Sequence, residues 1–542
     1  MDISLSSDKE AQSSSTDDKR GGWITFPFII VSMAGLILAG GGVFGNLIVY
    51  LIEVFHLKSI DATQVSNIVN GGSSLIPIIA AILADSFLGC YSVVWISSLV
   101  SLLGTILVSL TAILPSLRPQ PCQNGPVCKS PSKLQFGVLY ASIALASIGQ
   151  GGMRFTVATM GASQFHKPKD QGVYFNWFFF TYYIVAIISA TAVVYVEDNV
   201  SWAWGFGLSV VANLLGLTVF LLGSQFYRHV KPERSPFVGI ARVVVAAIRK
   251  REVNLSSKSE DYYHGHDGVT TVATSSPPTK SFRFLNHAAI KTEGDAKSDG
   301  STAKPWKLCT VQEVEDLKAL LRIFPLWSTS IFLGAPICVQ ANLVVLQALT
   351  MDRRLGSSHF RIPAASMLVF VLVSTAISLI ILDRFFWSAW QKLVGRPLTP
   401  LQRIGVGHVL NITSMAVSAL IESKRRSKSI SSVLWLVPQL AIVGIGEAFH
   451  FPGQVAFNYQ EFPALLKNMS AALTAMVIGI TFYLSTALSD LVRRVTGWLP
   501  DDIDDGRLDN VYWIIAVLGT VNFGYYLCCA WFYKYQNLGG GR

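Results

Sequence analysis

Long stretches of this chain carry no charged side chain at all, and they dictate the solvent it folds in. Residues 21–52 contain no Asp, Glu, Lys or Arg, and neither do 62–84, 91–117, 171–196, 199–227, 323–351, 362–382, 404–421, 468–489 and 510–533. Two more windows, 134–165 and 429–460, hold one charge each, Arg154 and Glu447. A helix needs about 20 apolar residues to cross the hydrocarbon core of a bilayer. Every window supplies that length, 404–421 only just, so the sequence predicts twelve transmembrane helices. Only 14% of the 542 residues are charged, too few to give a soluble chain of this size its polar surface.

The windows fall six and six around a polar stretch, 225–315. Two six-helix halves joined by a cytoplasmic linker is the layout of the major facilitator superfamily fold, an all-α membrane protein. The expected parts are a disordered cytoplasmic N-terminus at 1–20, an N-terminal bundle at 21–224, the linker at 225–315, a C-terminal bundle at 316–534 and a cytoplasmic tail at 535–542. Within the linker, Phe237, Ile240, Val244 and Ile248 recur at helical spacing, which predicts an amphipathic helix over 236–251 lying along the inner membrane surface. Residues 254–299 are polar and read as flexible.

Lys and Arg outnumber Asp and Glu by 43 to 33. The excess sits mostly in loops, above all in the linker. That is the positive-inside bias of cytoplasmic segments, and no nucleic acid is expected as a partner. Both termini are then cytoplasmic. Two loops oppose this orientation: 352–361 holds Arg353, Arg354 and Arg361, and 422–428 holds Lys424, Arg425, Arg426 and Lys428, yet both fall outside. The first apolar window is too long for a signal peptide. Cys122 and Cys128 share an outer loop and are either a bridge or a chance pair. No phosphate cradle stands up, because the glycine runs at 40–42 and 149–152 lie inside apolar helices. Neither an enzyme nor a cofactor is expected.

Charge inside a membrane costs roughly 2.5–3.5 kcal/mol at a helix centre, so it marks a cavity or a partner. Arg154 on the fourth helix and Glu447 on the tenth belong to different halves and are expected to meet across a central cleft, as a substrate site or gate. Lys318 and Arg322 precede the seventh helix; they either snorkel to the interface or pair with Glu447 to close an inner gate. Asp85 is expected to cap a tight loop beside Gly89. Asn46, Tyr50, Gln340 and Gln347 are uncharged candidates for substrate contact, and equally for bonding a neighbouring helix. His450 shares a helix face with Glu447.

Several segments resemble the plant nitrate/peptide transporter family, the eukaryotic branch of the proton-dependent oligopeptide transporters. They are RGGW at 20–23, NLIVYL at 46–51, ADSFLG at 84–89, FNWFFF at 175–180, MDRRLG at 351–356, LTPLQRIGVG at 398–407 and VGIGEAFHFPGQVAF with YQEFP over 443–463. The resemblance implies a Glu-x-x-Glu-Arg motif on helix 1 of proton-coupled members; the matching positions here are Met33, Leu36 and Ile37. It further implies that Arg154 replaces a lysine, that Cys338 stands where one nitrate importer has a histidine, and that Glu447 is retained. An arginine cannot usefully deprotonate, so these departures suit an anion and disfavour proton-driven uptake.

A helix 1 without the charged motif, with GGMRF on helix 4, is similar to the nitrate excretion subgroup. That resemblance implies passive, low-affinity efflux of nitrate or chloride across the plasma membrane, by alternating access. Two rivals stand beside it: a proton-coupled importer of nitrate, peptide or an organic anion using Glu447 or His450, and a transport-inactive sensor. Membrane lipid is the other expected partner, and the sequence does not reveal an oligomeric state.

Overall fold

A computed structural model describes residues 20–120, 130–165, 167–229, 236–265, 277–292, 294–295, 306–355, 360–462 and 470–533. The expected N-terminal and C-terminal tails, apart from Arg20, and the Cys122–Cys128 pair lie outside the described residues. Eleven helical stretches are long and apolar enough to cross a membrane, and one of them, Ser59–Ile113, runs for 55 residues. A straight helix of that length would measure about 80 Å, far more than one bilayer. The chain instead passes through a π-turn at Ala84–Leu88 and turns at Gly89, whose φ of +75° suits a residue without Cβ. Two spans therefore lie in this stretch, and the total is twelve. Among the described residues no side-chain hydrogen bond of Asp85 caps this turn, contrary to expectation; the turn is a backbone feature.

The spans are α1 (Phe26–Gly45 and Leu47–Glu53), α2 (Ser59–Leu83), α3 (Gly89–Ile113), α4 (Lys133–Arg154 and Thr156–Ala162), α5 (Pro168–Ile188, continuing to Val194–Asn199) and α6 (Trp202–Leu222). After the linker come α7 (Val311–Thr350), α8 (Val369–Ile381), α9 (Pro400–Arg426), α10 (Val437–Glu461), α11 (Ser470–Thr496) and α12 (Leu508–Phe532). Three of them start on a capping box in which a hydroxyl and a glutamine or glutamate exchange hydrogen bonds with the backbone: Ser132 with Gln135, Thr310 with Glu313, Thr399 with Gln402.

Packing repeats with an offset of six helices. α3 packs on α4 and α6 as α9 packs on α10 and α12, and α1 on α6 as α7 on α12. The halves meet through α2 against α11 and, correspondingly, α5 against α8. Within the first half α3 and α4 touch backbone to backbone. A Cβ on Gly149 would lie 2.2 Å from the Ser101 nitrogen, and one on Gly104 2.2 Å from the Ala146 nitrogen. Gly149→Leu is expected to prevent recovery of a monodisperse protein, since overpacking of about 1–3 kcal/mol is here aimed at backbone that cannot yield. Size-exclusion of a fluorescent fusion checks this.

The two membrane faces differ. On the side away from the linker, one buried apolar cluster runs from Val43–Phe55 of α1 to Val339–Met351 of α7 and on to Tyr512 of α12, joining the halves. Ion pairs across the halves reinforce it: Arg353–Asp198 at 3.0 Å, Arg493–Asp61 at 2.9 Å and Lys58–Asp501 at 2.5 Å. On the linker side the apolar clusters are separate, one built around Met33, Met153 and Phe220, the other around Trp327, Phe457 and Leu473. The ion pairs seen between the halves lie on the far side. The central cleft is closed on the far side and open toward the linker.

The basic far-side loop at 422–428 is partly neutralised. Arg425 pairs with Glu422 and Asp504, and Arg426 with Asp509. The acids come partly from the α11–α12 loop, distant in sequence, so loop charges counted locally overstate the conflict with the positive-inside bias.

The linker is more ordered than its composition suggests. Val243, Ala246 and Ala247 of the helix Pro236–Arg249 pack with Leu285, Ala288 and Ala289 of the turn Arg283–Ala289 and with Val314 and Leu317 of α7. α7 has 40 residues, about 60 Å, so its first turns project beyond the bilayer and carry this small core. The expected flexibility of 254–299 is thus corrected for its described part. Val244 and Ile248 of the anticipated apolar face stay exposed; it is a neighbouring face that packs.

Lys250 and Asp295 form a buried pair at 2.6 Å. Burial alone would raise the Asp295 carboxyl, but the Lys250 ammonium and the Thr292 hydroxyl outweigh it and hold it below its ordinary value of 3.8. The pair's contribution to docking is therefore full above about pH 4 and is lost as the pH falls through the lowered value. Asp295→Asn strands a buried ammonium at a cost of about 3–5 kcal/mol. It is expected to speed hydrogen exchange over 282–290 while leaving the transmembrane helices protected.

Candidate functional site

Arg154 ends the first segment of α4; the helix breaks at Phe155 and resumes at Thr156. Discontinuous helices near the bilayer midplane are where secondary transporters build their sites. Arg154 is exposed to the cleft and has no carboxylate partner among the described residues. Its Nη2 donates to the Tyr182 hydroxyl at a long 3.5 Å, and its guanidinium lies 5.8 Å from the Phe155 ring. The charge is uncompensated.

Glu447 lies near the middle of α10 and is half-buried. Thr375 of α8 is bonded one turn before it, its hydroxyl donating to the Gly444 carbonyl of α10 at 3.1 Å. No cation approaches to ion-pair distance among the described residues. The expected contact between Arg154 and Glu447 is not made among the described residues; the Arg154 guanidinium meets the Tyr182 hydroxyl of α5 instead.

Most uncharged candidates are buried away from the cleft. Asn46 sits at the break in α1, 1% exposed, against the buried Glu197. Tyr50 is 1% exposed, bonds Thr111 at 2.8 Å and packs among Trp202 and Phe206. Gln340 donates to Ser414 and Ser418 of α9 at 2.8 and 2.7 Å, and Gln347 to Glu422 at 2.6 Å. Tyr50, Gln340 and Gln347 each bond a helix of their own half. That is the second of the two readings the sequence left open, since polar side chains at helical spacing serve a neighbouring helix as readily as a cavity.

The gate candidates separate. Lys318 is fully buried and pairs with Glu315 at 2.7 Å while donating to the Thr279 carbonyl at 2.8 Å. It clamps the linker rather than reaching Glu447. Arg322, one turn on, is half-buried with no hydrogen bond or ion pair among the described residues. It remains available for an inner gate but does not touch Glu447. His450 lies against His408 of α9, ring centroids 6.0 Å apart. Met33 and Leu36, at the positions of the missing motif, are 2% and 5% exposed and belong to the linker-side apolar core.

Two buried carboxylates escaped notice because each sits just past the end of a charge-free window. Glu197 is 2% exposed in notches left by Gly42 and Gly205, and Glu422 is fully buried against Arg425. Only the three-dimensional ends of the helices reveal their burial.

A cleft between pseudo-repeated six-helix halves, with Arg154 and Glu447 unpaired among the described residues, is transporter architecture. Comparison with known proteins gives the lineage: the model of the POT family (PTR2) matches residues 91–503. The chain belongs to the POT family. This POT transporter is 54% identical to Protein NRT1/PTR FAMILY 2.7 of Arabidopsis thaliana, over 97% of this chain and 95% of that one. It is 52% identical to Protein NRT1/PTR FAMILY 2.6 of the same plant, over 99% and 98%. Among solved structures it resembles the POT family transporter PepTSo, TM-score 0.72 at 17% identity over 95% of this chain and 99% of that one. An auto-inhibited POT family peptide transporter gives 0.71 at 16%, over 94% and 97%. These likenesses establish the twelve-helix fold. The protein is a multi-pass membrane transporter of a small substrate and not an enzyme.

Proposed function

We propose that this POT transporter is a facilitative carrier of a small inorganic anion, nitrate or chloride, that mediates passive low-affinity efflux across the plasma membrane. The carrying observation is the uncompensated Arg154 in a cleft whose α1 wall bears no charge from Phe26 to Ile52. A fixed cation there attracts an anion and has no proton to give up. Alternating access follows if the halves rock about α2–α11 and α5–α8, closing the linker side while the far side opens. With the linker in the cytoplasm, an inside-negative potential supplies about 2.3 kcal/mol per charge per 100 mV, enough to drive anions outward without protons.

The test is anion flux into proteoliposomes at clamped voltage and with no pH gradient, nitrate and chloride measured separately. Flux under these conditions supports the passive reading. Flux that starts only when a pH gradient is imposed overturns it in favour of a second reading, proton coupling through Glu447. The absence of a cationic partner for that carboxylate is the observation that favours this rival.

A further inference from the structure

The α7–α8 loop turns back on itself on the far side. Leu355 N–H donates to the Phe360 carbonyl at 3.2 Å and Ile362 N–H to the Arg353 carbonyl at 2.9 Å, which makes Arg354 and Arg361 an antiparallel bridged pair. Residues directly opposite in such a pair hold their Cβ atoms about 5 Å apart, and like charges there repel. Both side chains are exposed, and neither has a carboxylate partner among the described residues.

The pair borders a recess of about 410 Å³ lined by Leu349, Met351, Asp352, Arg353, Arg354 and Arg361. Three guanidinium groups thus face one carboxylate. Asp352 caps the Arg354 backbone N–H at 3.1 Å and is in no ion pair, and Arg353 is engaged by Asp198 across the halves. The α11–α12 acids that neutralise Arg425 and Arg426 pair with none of these three arginines. The loop is held in place by Phe360, stacked on Tyr195 of α5 at 5.2 Å and 8°. Two like-charged forks are therefore set side by side by backbone pairing and left without a counter-charge.

We propose that this recess is a second anion site, a far-side vestibule in which Arg354 and Arg361 hold a small planar oxyanion of the nitrate type. Planar guanidinium forks match an oxyanion's in-plane oxygens, whereas a spherical halide offers no such fit. Arg353 lies at the same recess, so an anion there competes with Asp198 for it and loosens the contact between the halves. The site stands on its own residues and does not require Arg154 to be the central site.

The test is modification of arginines by phenylglyoxal in the full-length protein, read residue by residue by peptide mass spectrometry. Sodium nitrate, chloride and gluconate are compared at equal ionic strength, in phosphate-free maltoside micelles and in nanodiscs with anionic lipid. Nitrate is expected to slow modification of Arg354 and Arg361 by roughly threefold or more relative to gluconate, as for a site occupied about two-thirds of the time, with exposed Arg251 unaffected. The same protection is expected in Arg154→Ala, which separates this site from the central cleft. Equal labelling in nitrate and gluconate overturns the proposal. So does equal protection by chloride, protection conferred only by anionic lipid, or protection lost in Arg154→Ala.

Discussion

Arg154→Ala is expected to reduce voltage-driven nitrate flux by roughly 10- to 100-fold at subsaturating nitrate, with the protein folded and the cleft otherwise intact. A hydrogen bond to a charged group contributes about 1.5–3 kcal/mol, and each 1.4 kcal/mol is about tenfold. Arg154 is exposed and lightly held, with Tyr182 at 3.5 Å, so its removal strands no buried partner. The loss should appear in flux and not in thermal stability. Arg154→Lys keeps a point charge but not the planar fork; it is expected to retain more chloride flux than nitrate flux. Unchanged nitrate flux in Arg154→Ala would remove this residue from the transport path.

Asp198→Asn is expected to shift the protein toward a state open on the far side. Asp198 and Arg353 are 8% and 18% exposed, so neutralising one leaves the other poorly solvated. At the low end for such pairs the cost is about 3 kcal/mol, roughly 100-fold in the ratio of closed to open. The other pairs across the halves are solvated, with Lys58 61% and Arg493 29% exposed, and contacts of that kind contribute little each. Spin-label distances across the far-side helix ends should therefore lengthen in Asp198→Asn and move little in Lys58→Ala. The reverse pattern would locate the latch at Lys58 and Asp501.

Much of this architecture was legible in the chain. Hydrocarbon accepts almost no charge, so charge-free windows report spans directly, and the two residues breaking the rule, Arg154 and Glu447, stand out on cost alone. That neither meets an ion-pair partner among the described residues was not legible, because partner choice depends on how the two halves are set apart. Tyr182 of α5, which Arg154 meets, looks like any aromatic residue in an apolar run. Asn46, Tyr50 and Gln340 carried two readings for a related reason. A polar residue in an apolar helix must satisfy itself, and sequence spacing does not say whether a neighbouring helix or a cavity does so.

The sequence by itself determined the solvent, the number of spans, the division into halves and the positions of the intramembrane charges, since each follows from the energetic cost of charge in hydrocarbon. Tertiary structure alone decided which faces those charges meet. It closed the far side by joining α1 and α7 in one core, and it opened the cleft toward the linker. It folded the described part of the linker onto α7 and answered two arginines of the 422–428 loop with acids some 80 residues away, as in Arg425 with Asp504. Those outcomes rest on contacts between residues remote in the chain, where local composition carries no information about the partner.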